Sequence, residues 1–389
     1  MSLLQYGNIR IFLILENMSN MLLFRYSYDL VNGEDCMEIV LKKEFCPDYQ
    51  NVVKAAKNIE VDRVPLYEHI ICHEMMETIT GERFGDLWAG DRRDKVEYLR
   101  RACKFWKMMG YDTISFECCI GSAYPGSGAL GGHIPGVIQT RDDFEKYPWD
   151  EVEERYFSWA GENFSALREA LLPGMKAVGG VGNGVFEVVQ DLTGYMSLCY
   201  LREDDPELYE ALFRKTGEIA ASVWKRFLQE YADVFCVMRF GDDLGFKSTT
   251  LLPPEDIRKH VIPQYKKIID MVHAAGKPFL LHSCGCIFNV MDDLIAAGID
   301  AKHSNEDQIA YFPEWVERYG DRIGNFGGID TDMVCRLSRQ EMREYITDVF
   351  RKCRGHGGFA FASGNSIPSY VPASGFITMV ETVRELRGE

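Results

Sequence analysis

The stretch Pro278-Phe279-Leu280-Leu281-His282-Ser283-Cys284-Gly285 decides how the rest of the chain is read. It opens with an apolar run of the kind that fills a buried strand and closes on a glycine, a residue that turns the chain. Successive strand side chains point to opposite faces, so His282 and Cys284, two positions apart, project the same way. A neutral imidazole and a thiolate side by side make half of a zinc site. A lone His-x-Cys is equally a buried histidine beside a buried free cysteine, so the weight falls on what the neighbouring strands deliver.

On both sides of this stretch the chain repeats one plan, strand then helix. Strands are expected over Arg63–His69, Asp112–Glu117, Lys176–Val181 and Val234–Phe240, then the stretch itself, then Ala301–Glu306, Asn325–Asp330 and Gly358–Ser363. Amphipathic helices are expected over Arg92–Met109 and between Trp149 and Leu171, with helical segments through Leu192–Cys199 and Pro206–Tyr231. Further helices are expected over Pro254–Ala275, broken or kinked at Pro263, over Asn289–Ala297, and up to Tyr319. Ser338 with Glu341 forms a capping box for a helix reaching about Arg354, and Ala373–Leu386 closes the chain. Eight strands alternating with eight helical stretches predict an α/β fold, a (β/α)8 TIM barrel. A doubly wound open sheet is the rival, but no GxGxxG follows the first strand and no phosphate-loop motif occurs. The Gly- and Pro-rich loop 121–136 reads as a mobile wall or lid over a site.

With 389 residues and 46% hydrophobic content, the chain is long enough for one large barrel with a sizeable core. A formal net charge of −16 argues against nucleic acid as a partner. The 12 cysteines form no CxxC and no regular spacing, which fits a reducing cytoplasm. Ile9–Leu15 is apolar but too short to span a membrane, and Glu16 and Asn17 interrupt it. Residues 8–15 and 20–31 are expected to form a β-hairpin within an N-terminal extension, 1–45, that precedes the barrel, 46–389.

In a barrel the chemistry sits where the strands end. Those ends supply Glu68 and His69, Glu117 with Cys118 and Cys119, Asn183, Asp242 and Asp243, His282 and Cys284, Asn305 and Glu306, Asp330, and Asn365. Asp330 before Thr331 reads equally as a helix N-cap, and Cys118 and Cys119 read more readily as small buried hydrophobes than as ligands. Alternation in the second strand turns Ile114 and Phe116 outward and Thr113, Ser115 and Glu117 inward, so Glu117 becomes an acid/base group or a metal ligand. In the fourth strand Arg239, Gly241 and Asp243 share a face, and an Arg239–Asp243 pair there would be structural.

From about Phe45 onward the chain resembles the uroporphyrinogen decarboxylase superfamily. The resemblance rests on Asp62-Arg63-Val64-Pro65, Gly241-Asp242-Asp243-Leu244-Gly245, His282-Ser283-Cys284-Gly285, Gly327-Gly328-Ile329-Asp330 and Gly364-Asn365-Ser366-Ile367-Pro368. It implies a (β/α)8 barrel with its cleft at the strand C-termini. One branch of the superfamily decarboxylates uroporphyrinogen and grips that polyacid with arginines. The other moves methyl groups between a corrinoid protein and a thiol or methylated donor, with zinc activating the heteroatom. Where the decarboxylases carry an Arg-Gln-Ala-Gly-Arg segment, this chain reads Tyr67-Glu68-His69-Ile70-Ile71-Cys72-His73-Glu74. His282-x-Cys284 matches the zinc motif of the methyltransferase branch, and Asn365 stands where that branch has a third, cysteine ligand.

The resemblance therefore implies a zinc-assisted methyltransferase. Zinc would be held by His282, Cys284 and a rim carboxylate, Glu117 first, with Cys118, Asp243 and Glu306 as further candidates. Glu117 and Asp243 would be catalytic, and His69, Asn183, Asn305, Asp330 and Asn365 would bind a small-molecule substrate. The corrinoid, methylcobalamin or its like, would arrive on a partner protein, since the chain has no Asp-x-His-x-x-Gly motif of its own. The resemblance to the superfamily also implies a homodimer. The alternatives are decarboxylation of uroporphyrinogen or another carboxylated substrate, with Glu117 or Asp243 as the polar catalyst, and a non-catalytic tetrapyrrole-binding barrel.

Overall fold

A computed structural model describes residues 45–389 apart from residue 133, together with the backbone of residues 2–6, 9–14, 23–28 and 38–41. Near the N-terminus, β1 (Ser2–Tyr6), β2 (Ile9–Ile14), β3 (Leu23–Tyr28) and β4 (Glu38–Leu41) pair in that order as an antiparallel sheet. The β2–β3 pairing runs from Ile9 opposite Tyr28 to Ile14 opposite Leu23. The turn between the two expected hairpin strands lies outside the described residues.

The site is carried by a second sheet of seven parallel strands. These are β5 (Thr113–Cys119), β6 (Lys176–Gly182), β7 (Phe235–Gly241), β8 (Phe279–His282), β9 (Ala301–His303), β10 (Gly324–Ile329) and β11 (Phe359–Ser363). They lie side by side in sequence order, with helices in every connection. The fold is thus α/β and barrel-like, and it corrects the expectation of eight full strands. The first expected strand, Arg63–His69, forms a single bridge, Leu66 to Phe361 of β11. Tyr67 N donates to the Phe361 carbonyl at 2.8 Å, and Phe361 N donates to the Pro65 carbonyl at 2.8 Å. Pro65 has no N–H to extend the ladder. On its other side the segment meets β5 through Ser115 Oγ, which donates to the Glu68 carbonyl. One segment therefore touches both edges of the sheet, so the sheet curls round on itself without a continuous closing ladder.

Two layers of apolar packing hold this shape. Outward residues such as Ile114, Val181, Phe240 and Leu281 pack under the helices in one large core. Inward residues Val178, Val237, Leu280, Phe326 and Ala360 pack with Val52 and Ala55 of the helix Gln50–Ala56. That apolar plug fills the interior and leaves the polar groups to the strands' C-terminal ends.

The helices match their sequence signals. Arg92–Met108 opens on a reciprocal capping box of Asp91 and Asp94, and Arg339–Cys353 opens on the expected Ser338–Glu341 box. Pro263 falls where a π-helical turn, Ile257–Val261, hands over to the α-helix Ile262–Ala274. The expected helix through 192–199 is instead two helices, Val185–Thr193 and Tyr195–Asp204, parted by Gly194 at φ +78°. Described residues of the loop expected to act as a wall or lid make hydrogen bonds through their backbone N–H groups to the segment 191–193. Asp191 Oδ1 accepts from Gly128 N and Leu130 N, both at 2.8 Å, and Gly136 N donates to the Thr193 carbonyl at 2.9 Å. Among the described residues no helix is long and apolar enough to cross a membrane.

Candidate metal centre

β8 ends at His282, and the chain turns at Gly285, whose φ is +80°. A Cβ there would lie 2.2 Å from the Gly245 backbone, so only glycine passes. Cys284 therefore lies just past the strand, yet its Sγ stays 3.5 Å from His282 Nε2. Asp243, two residues beyond β7, accepts the Cys284 backbone N–H on Oδ1 at 2.8 Å, and that oxygen lies 4.0 Å from His282 Nε2. The donor atoms of Asp243, His282 and Cys284 all lie within 4.8 Å of one another. Asn365, past β11, donates from Nδ2 to Cys284 Sγ at 3.4 Å, and Ser304 Oγ donates to it at 3.5 Å. Cys286, past the turn at Gly285, spends its backbone N–H on the Phe246 carbonyl.

Three buried histidines lie together beneath this cluster. His69 stacks on His282 with ring centroids 3.9 Å apart and an interplanar angle of 15°. His282 Nδ1 lies 2.7 Å from His303 Nδ1, and His303 Nε2 lies 2.9 Å from the Ser363 carbonyl. Burial, more than any neighbouring charge, pulls His69 and His282 well below the usual histidine range and His303 down to about 3. All three are neutral imidazoles, the state in which histidine binds a metal.

Glu117 belongs to an adjoining network. Its Oε2 accepts from Arg239 at 2.6 Å, and its Oε1 lies 4.0 Å from His69 Nε2. Arg239 is fully buried and also donates to Tyr67 Oη at 2.7 Å and to the His69 carbonyl at 3.2 Å. The expected Arg239–Asp243 pair does not form. Asp243 lies past the end of β7 and holds the Cys284 backbone, while Glu117 reaches Arg239 from β5. Among the described residues it is Asp243, and not Glu117, that converges with His282 and Cys284.

The remaining rim residues make hydrogen bonds to neighbouring loops and helices. Asn183, at φ +62°, accepts from Gly121 N at 3.3 Å and donates to Glu187 Oε2 at 2.8 Å. Glu187 Oε1 in turn accepts from Asp243 N at 3.3 Å. Burial, then the nearby Asp242, pushes the Glu187 carboxyl up. Asp242 accepts from Phe186 N, Glu187 N and Tyr265 Oη. Asn305 Oδ1 accepts from Gly328 N at 3.0 Å. Asp330 caps its helix by accepting from Asp332 N and also accepts from Asp307 N, each at 2.7 Å. Cys118 is buried among apolar neighbours.

Two residues were not singled out from sequence. His303 was hidden inside an expected strand running to Glu306, whereas β9 stops at His303 itself. It pairs directly with His282 across the β8–β9 ladder, a register no local pattern reveals. Glu187 sits in the first turn of a helix, where an acidic residue ordinarily reads as a response to the helix dipole.

Residues 48–386 match the family model described as Uroporphyrinogen decarboxylase (URO-D). The chain belongs to the uroporphyrinogen decarboxylase family. A methyltransferase from Methanosarcina mazei is similar in structure with a TM-score of 0.64 at 16% identity, over 86% of this chain and 98% of that one. A putative vitamin-B12 independent methionine synthase from Listeria monocytogenes is similar with a TM-score of 0.50 at 13% identity, over 85% of this chain and 99% of that one. At such identities the likeness is one of fold. No curated protein matches the chain in sequence.

Within this uroporphyrinogen decarboxylase family member, the donor set at the rim fits zinc. It offers an imidazole nitrogen and a thiol sulfur from the end of β8 and a carboxylate oxygen from the end of β7. Burial, then the Asp243 carboxylate, pushes the Cys284 thiol up to about 12. A cation among these groups would reverse that penalty, because it favours the thiolate that the carboxylate opposes.

Proposed function

We propose that this family member is a zinc-assisted methyltransferase, moving a methyl group between a corrinoid on a partner protein and a thiol or methylated small molecule. The observation that carries the reading is the convergence of Asp243, His282 and Cys284 donor atoms within 4.8 Å at the strand C-termini. These three residues would hold the ion, and Asp243 replaces the first-choice carboxylate Glu117. When bound there, zinc supplies Lewis acidity, which lowers the pKa of a thiol or polarises a donor heteroatom.

The chain's own groups account for the rest. Asn365 orients Cys284 Sγ by donating from Nδ2. Glu117, held by Arg239 on one oxygen, keeps Oε1 beside His69 Nε2 to accept or return a substrate proton. The stacked and buried His69 and His282 rings hold each other in place beside these groups. Arg239 spends its charge on Glu117, so it is not free to grip a polycarboxylate. A partner protein is supported by exposed apolar side chains on segments beyond strand ends, among them Ile70, Leu130, Ile134, Met196, Phe246 and Tyr370.

Metal content of the purified protein, beside a His282→Ala/Cys284→Ala double variant, tests this directly. About one zinc per chain that is lost in the variant, with demethylation of methylcobalamin by a thiol, is expected. A metal-free protein that leaves methylcobalamin intact and decarboxylates uroporphyrinogen would overturn it.

A further inference from the structure

We propose that His303 is a positioning residue that fixes which nitrogen of His282 is free to bind a metal. The proposal deepens the zinc reading and rests on it. Its basis is a one-way hydrogen-bond chain. The Ser363 carbonyl can only accept, so His303 Nε2, 2.9 Å away, must carry a proton. His303 Nδ1 and His282 Nδ1 are 2.7 Å apart, a separation that requires one proton between them. A doubly protonated His303 would be a fully buried cation whose ring nitrogens face only His282 and the Ser363 carbonyl, and a buried charge without an anionic partner is costly. The shared proton therefore belongs to His282 Nδ1. Its Nε2 is left with a bare lone pair, and that atom is the one lying 3.5 Å from Cys284 Sγ and 4.0 Å from Asp243 Oδ1.

The far end of the chain is anchored as firmly. Glu68 accepts Ser363 N on Oε1 at 3.0 Å and Ser363 Oγ on Oε2 at 2.5 Å, so the carbonyl that orders the chain is held by the barrel wall. The stacked His69 ring fixes the plane of His282. With His303 removed, the proton of His282 is free to sit on Nε2, where it blocks the ligand lone pair.

The same atoms admit a rival arrangement, in which an ion sits among His69, His282 and His303 themselves. Two variants separate the two. In His303→Gln the amide offers one acceptor towards His282 and one donor towards Ser363, so the direction of the chain is kept. In His303→Leu it is lost. Cobalt(II) is titrated into metal-free wild type and variants against a competing chelator, and the thiolate-to-cobalt absorption band is monitored, with Cys284→Ser as the control that abolishes it. Affinity is expected to fall about 10- to 100-fold in His303→Leu and to stay within a few-fold of wild type in His303→Gln, with the band present. Wild-type affinity in His303→Leu overturns the proposal, as does equal loss in both variants, which makes His303 a ligand.

A second measurement needs no variant. Nitrogen-15 imidazole spectra of the metal-free wild type should show a protonated Nδ1 and a bare Nε2 on His282. A protonated Nε2 overturns the proposal. The expected tautomer in a protein that binds no metal leaves the effect of His303 on His282 standing and sinks the zinc reading.

Discussion

At the scale of single residues, the decisive pair is Glu117 and Arg239. Arg239 is wholly buried, and its charge is met by Glu117 Oε2 at 2.6 Å, a carboxylate whose side chain is only 14% exposed. Taking away one member of a buried pair leaves an uncompensated charge, which costs about 3–5 kcal/mol, far more than losing a surface bridge. Glu117→Gln should therefore lower unfolding stability by about that amount in urea titration. Arg239→Met made together with it should recover much of the loss, since the double change removes both charges. If the single and double variants are equally destabilised, the pair is not what stabilises this interior. Sequence parity turned Glu117 and Arg239 inward correctly. It could not show that they meet, because that depends on β5 and β7 flanking β6 in a curled sheet. Parity also aimed Asp243 at Arg239, and there it failed, because β7 ends at Gly241 and strand alternation does not extend to the residues beyond it.

At the scale of elements, the helical units were the most legible part of the sequence. Caps and glycines mark their ends locally, and the Ser338–Glu341 box and the closing helix Ala373–Leu386 appear as read. Strand ends were less legible. The segment Arg63–His69 has strand composition, yet Pro65 leaves it one bridge. The rim loop shows the same limit. Its glycines read as mobility, while its order comes from Asp191, more than 50 residues downstream, whose Oδ1 accepts both Gly128 N and Leu130 N. Asp191→Ala should release that loop. Amide hydrogen exchange at Gly128 and Leu130 should quicken by about tenfold or more, the equivalent of one lost charge-assisted bond, with the β5 amides unchanged. Unchanged exchange at both amides would mean that the Gly136–Thr193 and Ile138–Leu192 backbone bonds hold the loop without help.

At the scale of the whole molecule, the barrel interior makes stability depend on pH through Glu68. This carboxyl is fully buried, and burial raises it from 4.5 to about 8 against the opposing hydrogen bonds from Ser363. The folded chain therefore keeps a proton that the unfolded chain has released. Stability from this group is complete below pH 4.5 and is lost progressively as pH rises through 8, a change on the order of 4 kcal/mol. His282 and His303 act in the other direction. Both are held neutral by burial, so they remove stability only as pH falls below the usual histidine range, where the unfolded chain takes up protons. The two effects set a stability maximum on the slightly acidic side of neutrality. Glu68→Gln preserves an acceptor for Ser363 N and cannot ionise. Its urea midpoint should match wild type near pH 4.5 and exceed it by a growing margin up to about pH 8, above which the gap stays constant. Parallel profiles across that range would mean that Glu68 is ionised in the fold, paired with a cation inside the barrel, and the neutral floor beneath the histidine cluster would have to be redrawn around that charge.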